Sequence, residues 1–161
     1  MKSNLNTRQE RQTRAGTLAV EMSPAVARSL TPMLTQTSAE KFASEWIQAW
    51  NVHDLDRILS HYAADCELTS PFVRRVLGNG QDTVSGLNML RGYFSRAFVL
   101  YPDLRFVLGC VYVGVASLVI EYQSVANLAA AEHLEFNESG LIHRVRAHYT
   151  SSHSATAKTA K

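Results

Sequence analysis

The chain has 161 residues, 46% of them hydrophobic, so it suits one domain with a sizeable core and is too apolar for a disordered protein. Its net charge of +2 is unevenly spread: residues 1–37 carry five basic and two acidic side chains, residues 150–161 carry two basic and none acidic, and the body is left at −3. A nucleic-acid groove in the folded part is therefore not expected, and no apolar run is long enough to span a membrane.

Residues 1–37 are rich in Thr, Ser, Gln and Arg, with Pro24 and Pro32 interrupting. No apolar stretch follows Lys2, and Glu10 and Glu21 count against an organelle presequence. The reading is a flexible basic tail on a cytoplasmic protein, with Met22 and Met33 as alternative starts. Thr37 and Glu40 form a capping box, which predicts a first helix from about Ser38. Phe42, Trp46 and Trp50 share one ridge of it, and Asn51 stops it. Leu55, Ile58, Leu59 and Tyr62 follow helical spacing, with Asp54 and Asp56 in the first turn complementing the helix dipole. Cys66, Leu68 and Ser70 then alternate as a strand that Pro71 ends.

Residues 72–84 read as a loop around Gly78-Asn79-Gly80. Arg74 and Arg75 there are either a solvated pair or a grip for an anion. Ser85 is placed as the cap of a third helix whose buried face is Leu87, Leu90, Phe94, Ala97 and Phe98. From there on the pattern is strands. Leu104, Phe106, Leu108 and Cys110 alternate, as do Leu118, Ile120 and Tyr122. Ala130, Glu132, Leu134 and Phe136 form one face of the next strand, and Leu141, His143, Val145, Ala147 and Tyr149 one face of the last. Residues 151–161 are a second tail. Helices first and long strands after give an α+β domain over 38–150 with an antiparallel sheet. Cys66 and Cys110 are expected to be buried free thiols. The outer strand faces, with Val119, Val125 and Ile142 among charged residues, suit a two-fold contact.

Four stretches carry a family likeness. They are WIQAWNVHDLDRILSHYAADCELTSP from Trp46, the helix SGLNMLRGYFSRAF with its G-x-x-x-L-x-x-Y/F pattern from Gly86, Tyr101-Pro102-Asp103-Leu104, and Phe136-Asn137-Glu138-Ser139-Gly140-Leu141-Ile142. In order and spacing they resemble the nuclear transport factor 2-like superfamily, in particular the SnoaL-like polyketide cyclases, over about Ser38 to Thr150. The resemblance implies a cone: a curved antiparallel sheet wrapped around three N-terminal helices, a cystatin-like architecture with an apolar pocket for a small hydrophobic molecule. It also implies a homodimer formed through the sheet. It does not imply one chemistry, since the superfamily spans isomerases, cyclases, epoxide hydrolases and non-catalytic proteins.

Within that frame Glu132 is the candidate base, because it shares a strand face with Leu134 and Phe136 and a carboxylate walled by apolar groups is poised near neutrality. Tyr122 and Tyr62 are the candidate polarising donors, with Tyr93 as a further phenol. Trp46, Trp50, Ser70, Phe94, Leu134 and His148 are the candidate ligand-binding residues. Ser70 stands where the related ketosteroid isomerases carry an aspartate base before proline, so steroid isomerisation by that mechanism is not expected. The acid-base aspartate of the cyclases and the Asp-Arg-Asp set of limonene epoxide hydrolases have no match. His143 and His148 fall on opposite strand faces, so no metal site is expected. There is no P-loop, dinucleotide fingerprint or nucleophile elbow, and no cofactor is expected. The function is thus either cofactor-free isomerisation, cyclisation or hydration, or a non-catalytic ligand-binding or dimeric association module, such as an accessory subunit that stabilises a partner through its sheet.

Overall fold

The computed structural model describes residues 34–150. The remainder of the two tails lies outside the described residues. Helix α1 spans Gln36–Asn51 and α2 Leu55–Leu59; strand β1, Tyr62–Thr69, leads into α3, Pro71–Leu77, and the short β2, Thr83–Ser85. Helix α4, Leu87–Leu100, is followed by β3, Val107–Gly114, β4, Ser117–Gln123, β5, Ala129–Phe136, and β6, Ile142–Tyr149. The six strands form one curved sheet in the order β2-β1-β6-β5-β4-β3. Every pair is antiparallel except β1 with β6, which is parallel. The two join because the long route through α3, α4 and four strands brings β6 back alongside β1.

Several local signals resolve differently from the sequence reading. The first helix is capped by Thr35, reciprocally with Ser38, and not by Thr37 with Glu40. Tyr62 opens β1 instead of closing the α2 stripe. Residues 71–77 are a fourth helix, not a loop. Ser70 accepts from the Phe72 N–H as N-cap, Pro71 sits in the first turn where its missing N–H costs nothing, and Gly78 closes the helix at φ 66. Ser85 belongs to β2, and Gly86 is the N-cap of α4, without a side-chain hydrogen bond.

Two register shifts re-aim strand residues. Between Leu108 and Val111, β3 carries a bulge opposite β4. Val111, not Cys110, therefore faces inward, and Cys110 is exposed, contrary to the buried thiol expected; Cys66 is buried. Gly109 sits in that bulge, where an added Cβ would meet the Glu121 carbonyl oxygen at 3.0 Å. A second shift at the start of β6 sends Ile142 inward, fully buried, in the place expected for Leu141 and His143. Ile142 is thus not on the outer face, and Val125 lines the interior from a 3₁₀ turn, Val125–Asn127.

The core lies between the concave face of the sheet and the helices. Trp46, fully buried on α1, stacks on Phe106 at 6.2 Å and meets Tyr122 edge-on at 5.8 Å. Trp50, one turn on, packs on Phe94 and Phe106 at 4.6 and 5.4 Å. Asn51 holds this layer in place. Its side chain accepts from the Phe106 N–H at 2.7 Å and donates to the Phe106 carbonyl at 2.9 Å. His53 adds a contact from Nε2 to the Leu104 carbonyl at 3.2 Å and stacks on Phe98. The end of α1 thereby grips the backbone entering β3.

Asn51→Ala leaves both polar groups of Phe106 without their partner in a partly buried place. It is expected to cost about 2 kcal/mol in urea unfolding. A loss below about 0.5 kcal/mol would mean that water replaces the amide at no cost.

Candidate functional site

A cavity of about 50 Å³ opens between the sheet and the helices. From α1 it takes Trp50, from β1 Tyr62, Leu68 and the following Ser70, and from α3 Phe72 and Val76. Helix α4 supplies Tyr93, Phe94 and Ala97, and the segment after it Tyr101, Leu104 and Phe106. The far wall is Tyr122, Ser124, Val125, Glu132, Ala147 and Tyr149.

Strand register decides which groups meet. Tyr122, Ala130 and Tyr149 lie opposite one another across β4, β5 and β6, and Ile120, Glu132 and Ala147 form the next row on the same face. Ala130 and Ala147 are small, which leaves room beside Glu132 for the two tyrosine rings. Glu132 is 6% exposed. Its Oε1 accepts a hydrogen bond from the Tyr122 hydroxyl at 2.5 Å, short as expected for a donor to a charged acceptor. Burial pushes the carboxyl up to about 7, and the Tyr122 bond pulls it the other way. Glu132 can thus exist as acid or as base at neutral pH, the condition a general acid-base group needs.

The phenols around it are held protonated. Burial raises Tyr122 and Tyr62 well above the ordinary tyrosine range, with the Glu132 charge adding to it. Tyr93 and Tyr149 are raised for the same first reason. Tyr62 accepts from the Trp46 indole N–H at 3.3 Å, so its own hydrogen remains available to a ligand. Ser70 neighbours both Tyr93 and Tyr149 and is buried. The Trp50 indole N–H is buried without a partner, so Trp50 is a donor in the cavity wall that a ligand oxygen would satisfy.

Of the residues singled out from sequence, Glu132, Tyr122, Tyr62, Trp50, Ser70 and Phe94 all line the cavity. Trp46 and Leu134 are fully buried and stand behind that wall, outside the lining. His148 does not reach it: alternation in β6 turns it to the outer face, where it is exposed and lines a shallow groove with Glu121, Gln123 and Ala131. Among the described residues no group of three His, Cys, Asp or Glu side chains could hold a metal ion. Arg74 pairs with Asp82 at 2.7 Å on the surface, as a solvated residue does. Phe72, Tyr101 and Tyr149 were not singled out. Tyr149 was legible from its alternation with Ala147, whereas Phe72 depended on recognising α3. Nothing in the sequence marks the unpaired Trp50 N–H.

The SnoaL-like domain family model matches residues 43–148. A SnoaL-like protein of unknown function from Burkholderia thailandensis E264 is 35% identical, with a TM-score of 0.70, over 74% of this chain and 99% of that one. A cystatin-like protein of unknown function from Methylobium petroleophilum PM1 is 20% identical with a TM-score of 0.59, over 79% of this chain and 85% of that one. A candidate ketosteroid isomerase from Kribbella flavida is 14% identical with a TM-score of 0.57, over 73% and 82%. No curated protein matches the sequence. The last two likenesses show the fold alone.

Tyr122→Phe removes the donor that favours the ionised carboxylate. The Glu132 titration, followed by carboxyl infrared or NMR signals, is expected to move up by roughly one unit from its position near neutrality. No movement, or a downward one, would show that the bond does not favour the charged form.

Proposed function

The chain belongs to the SnoaL-like domain family, and on that premise we propose that its aromatic cavity holds a small organic molecule on which Glu132 moves a proton. The observation that carries this reading is a carboxyl buried in the cavity wall, bonded to one tyrosine and titrating near neutrality. As a base Glu132 would take a proton from the substrate, and as an acid return it at another atom, with Tyr62 polarising the substrate oxygen while the single Tyr122 hydrogen is held by Glu132. Isomerisation, cyclisation and hydration all fit that scheme without a cofactor. The second reading is a binding module without catalysis. It is favoured by Ser70, which stands where the resembling ketosteroid isomerases place their aspartate and which here caps α3.

The outer face of the sheet supports a further part of the proposal, a homodimer in the cytoplasm. Val107 and Tyr112 are about half exposed there beside Val119, Ala129 and Ala131, with Glu121, Arg144 and Arg146 around them. No helix among the described residues is long and apolar enough to cross a membrane. A two-fold contact of ordinary size gives a dimer mass in light scattering at about 100 μM; a monomer mass there removes the dimer.

For Glu132 the sign of the pH effect is fixed by burial. Its carboxyl titrates near 7 in the folded chain against 4.5 as reference, so between those values the folded state binds more protons than the unfolded one. The resulting stability is fully present below about pH 4.5 and is lost as pH rises through 7, up to about 3 kcal/mol. Glu132→Gln has no proton to lose. Relative to it, wild type should weaken steadily in melts taken from about pH 5 to 8, and the variant should match or exceed wild type at the upper end. Parallel curves, or a Glu132 titration near 4.5, would remove the acid-base reading and leave the binding module.

A further inference from the structure

Glu132 is a buried carboxyl with no cation beside it. Its carboxyl is buried and takes one hydrogen bond, from Tyr122. No Lys, Arg or His lines the cavity, and no cation contributes to the charge environment of the carboxyl. A buried carboxylate without a partner is costly to keep ionised, and buried charges in proteins are as a rule paired. The remainder of the wall has a second property. Nine of its side chains are aromatic, and ring faces attract positive charge through their quadrupoles, most strongly when the cation has left water. A wall of rings with one acid and no base suits a cation.

We propose that the ligand of this cavity is a small alkylated or methylated ammonium, held by cation–π contact with the aromatic wall and paired with Glu132. This rests on reading the cavity as the ligand site and adds the charge class of what enters it. Size bounds the molecule. One water requires about 10–15 Å³ of such space, so the roughly 50 Å³ present suits a head of about four or five heavy atoms without movement of the walls. Arrival of the cation favours the ionised carboxylate. In a pocket where Glu132 is protonated, the acid's O–H bond breaks, the proton passes to solvent, and the carboxylate stays behind as counter-ion. Binding is therefore linked to proton release on the acid side of neutrality.

The test is calorimetric titration of the full chain with tetramethylammonium chloride and, separately, with tert-butanol, a neutral molecule with the same number of heavy atoms. Tetramethylammonium is expected to bind at least about tenfold more tightly than tert-butanol at about pH 8, a difference of about 1.4 kcal/mol. Its affinity should fall below pH 7, and at about pH 6.5 its heat should depend on the buffer's ionisation enthalpy, the sign of a released proton. Glu132→Gln should abolish the preference for the cation. If that variant fails to fold, the pH dependence and proton count of the wild type decide the matter. Equal affinity for the two probes, binding of neither, or a cation preference that survives Glu132→Gln would overturn the proposal. If tert-butanol alone binds while Glu132 still titrates near neutrality, the ammonium proposal falls and the acid-base reading of the cavity stands.

Discussion

The C-terminal end of α1 is pinned to the strand entrance by the side chain of its last residue. Asn51 satisfies both backbone groups of Phe106, as a neighbouring strand would, and so ties the last residue of the helix to the residue just before β3. Helices have no intrinsic reason to choose one rotation over a sheet surface; apolar packing alone tolerates sliding, whereas a paired amide does not. With Asn51 fixed, Trp50 and Trp46 fall at set distances from Phe106, and Phe106 meets Tyr122 at 4.5 Å. The hydrogen bond thus reaches the site through a continuous run of rings: helix, strand entrance, then the tyrosine that donates to Glu132.

The site sits at the tension between that apolar packing and one carboxyl group. Rings that exclude water stabilise the domain, yet the same exclusion destabilises the charged form of Glu132 and raises its titration point. Tyr122 offsets part of this with a charge-assisted bond. The neighbouring phenols cannot share the burden by ionising, because burial and the Glu132 charge hold their protons in place. The cavity therefore has one group that changes protonation near neutrality and several that only donate or accept. A buried acid with no cation is a poor way to build stability alone, which is why its presence argues for a ligand-facing role.

The sheet separates this interior from an outer face of different character, and bulges draw the line. At Gly109 the extra residue turns Cys110 outward, and the shift at the start of β6 turns Ile142 inward. The exposed edges are managed in two ways. Edge strand β3 is covered in part by α1, where Gln36 donates to the Val111 carbonyl at 3.1 Å. The opposite edge, β2, has only three residues, too short to template another strand. What remains open is the outer face itself, with Val107 and Tyr112 beside charged residues.

Alternation and helical spacing by themselves determined the order of the elements other than α3 and β2, the inward face of β4 and β5, and the placing of Glu132 with Leu134 and Phe136, because a period of two or of 3.6 leaves little freedom once one face must be apolar. They also placed Trp46 and Trp50 on one ridge and made Glu132 and Tyr122 candidates for one site. The tertiary structure decided everything that depends on a partner distant in sequence. That includes the parallel seam of β1 and β6, the bulges that reversed Cys110 and Ile142, and the turning of His148 away from the cavity. It also separated the wall from what stands behind it, with Trp50 in contact with the cavity and Trp46 and Leu134 not. Helix α3 is the intermediate case, since Ser70, Pro71 and Gly78 are local cap signals that two arginines and a glycine-rich turn obscured. A strand pattern states which way a side chain points, but how deeply it is buried, and so how far Glu132 is driven from its ordinary titration, depends on the rings that α1 and α4 bring over it.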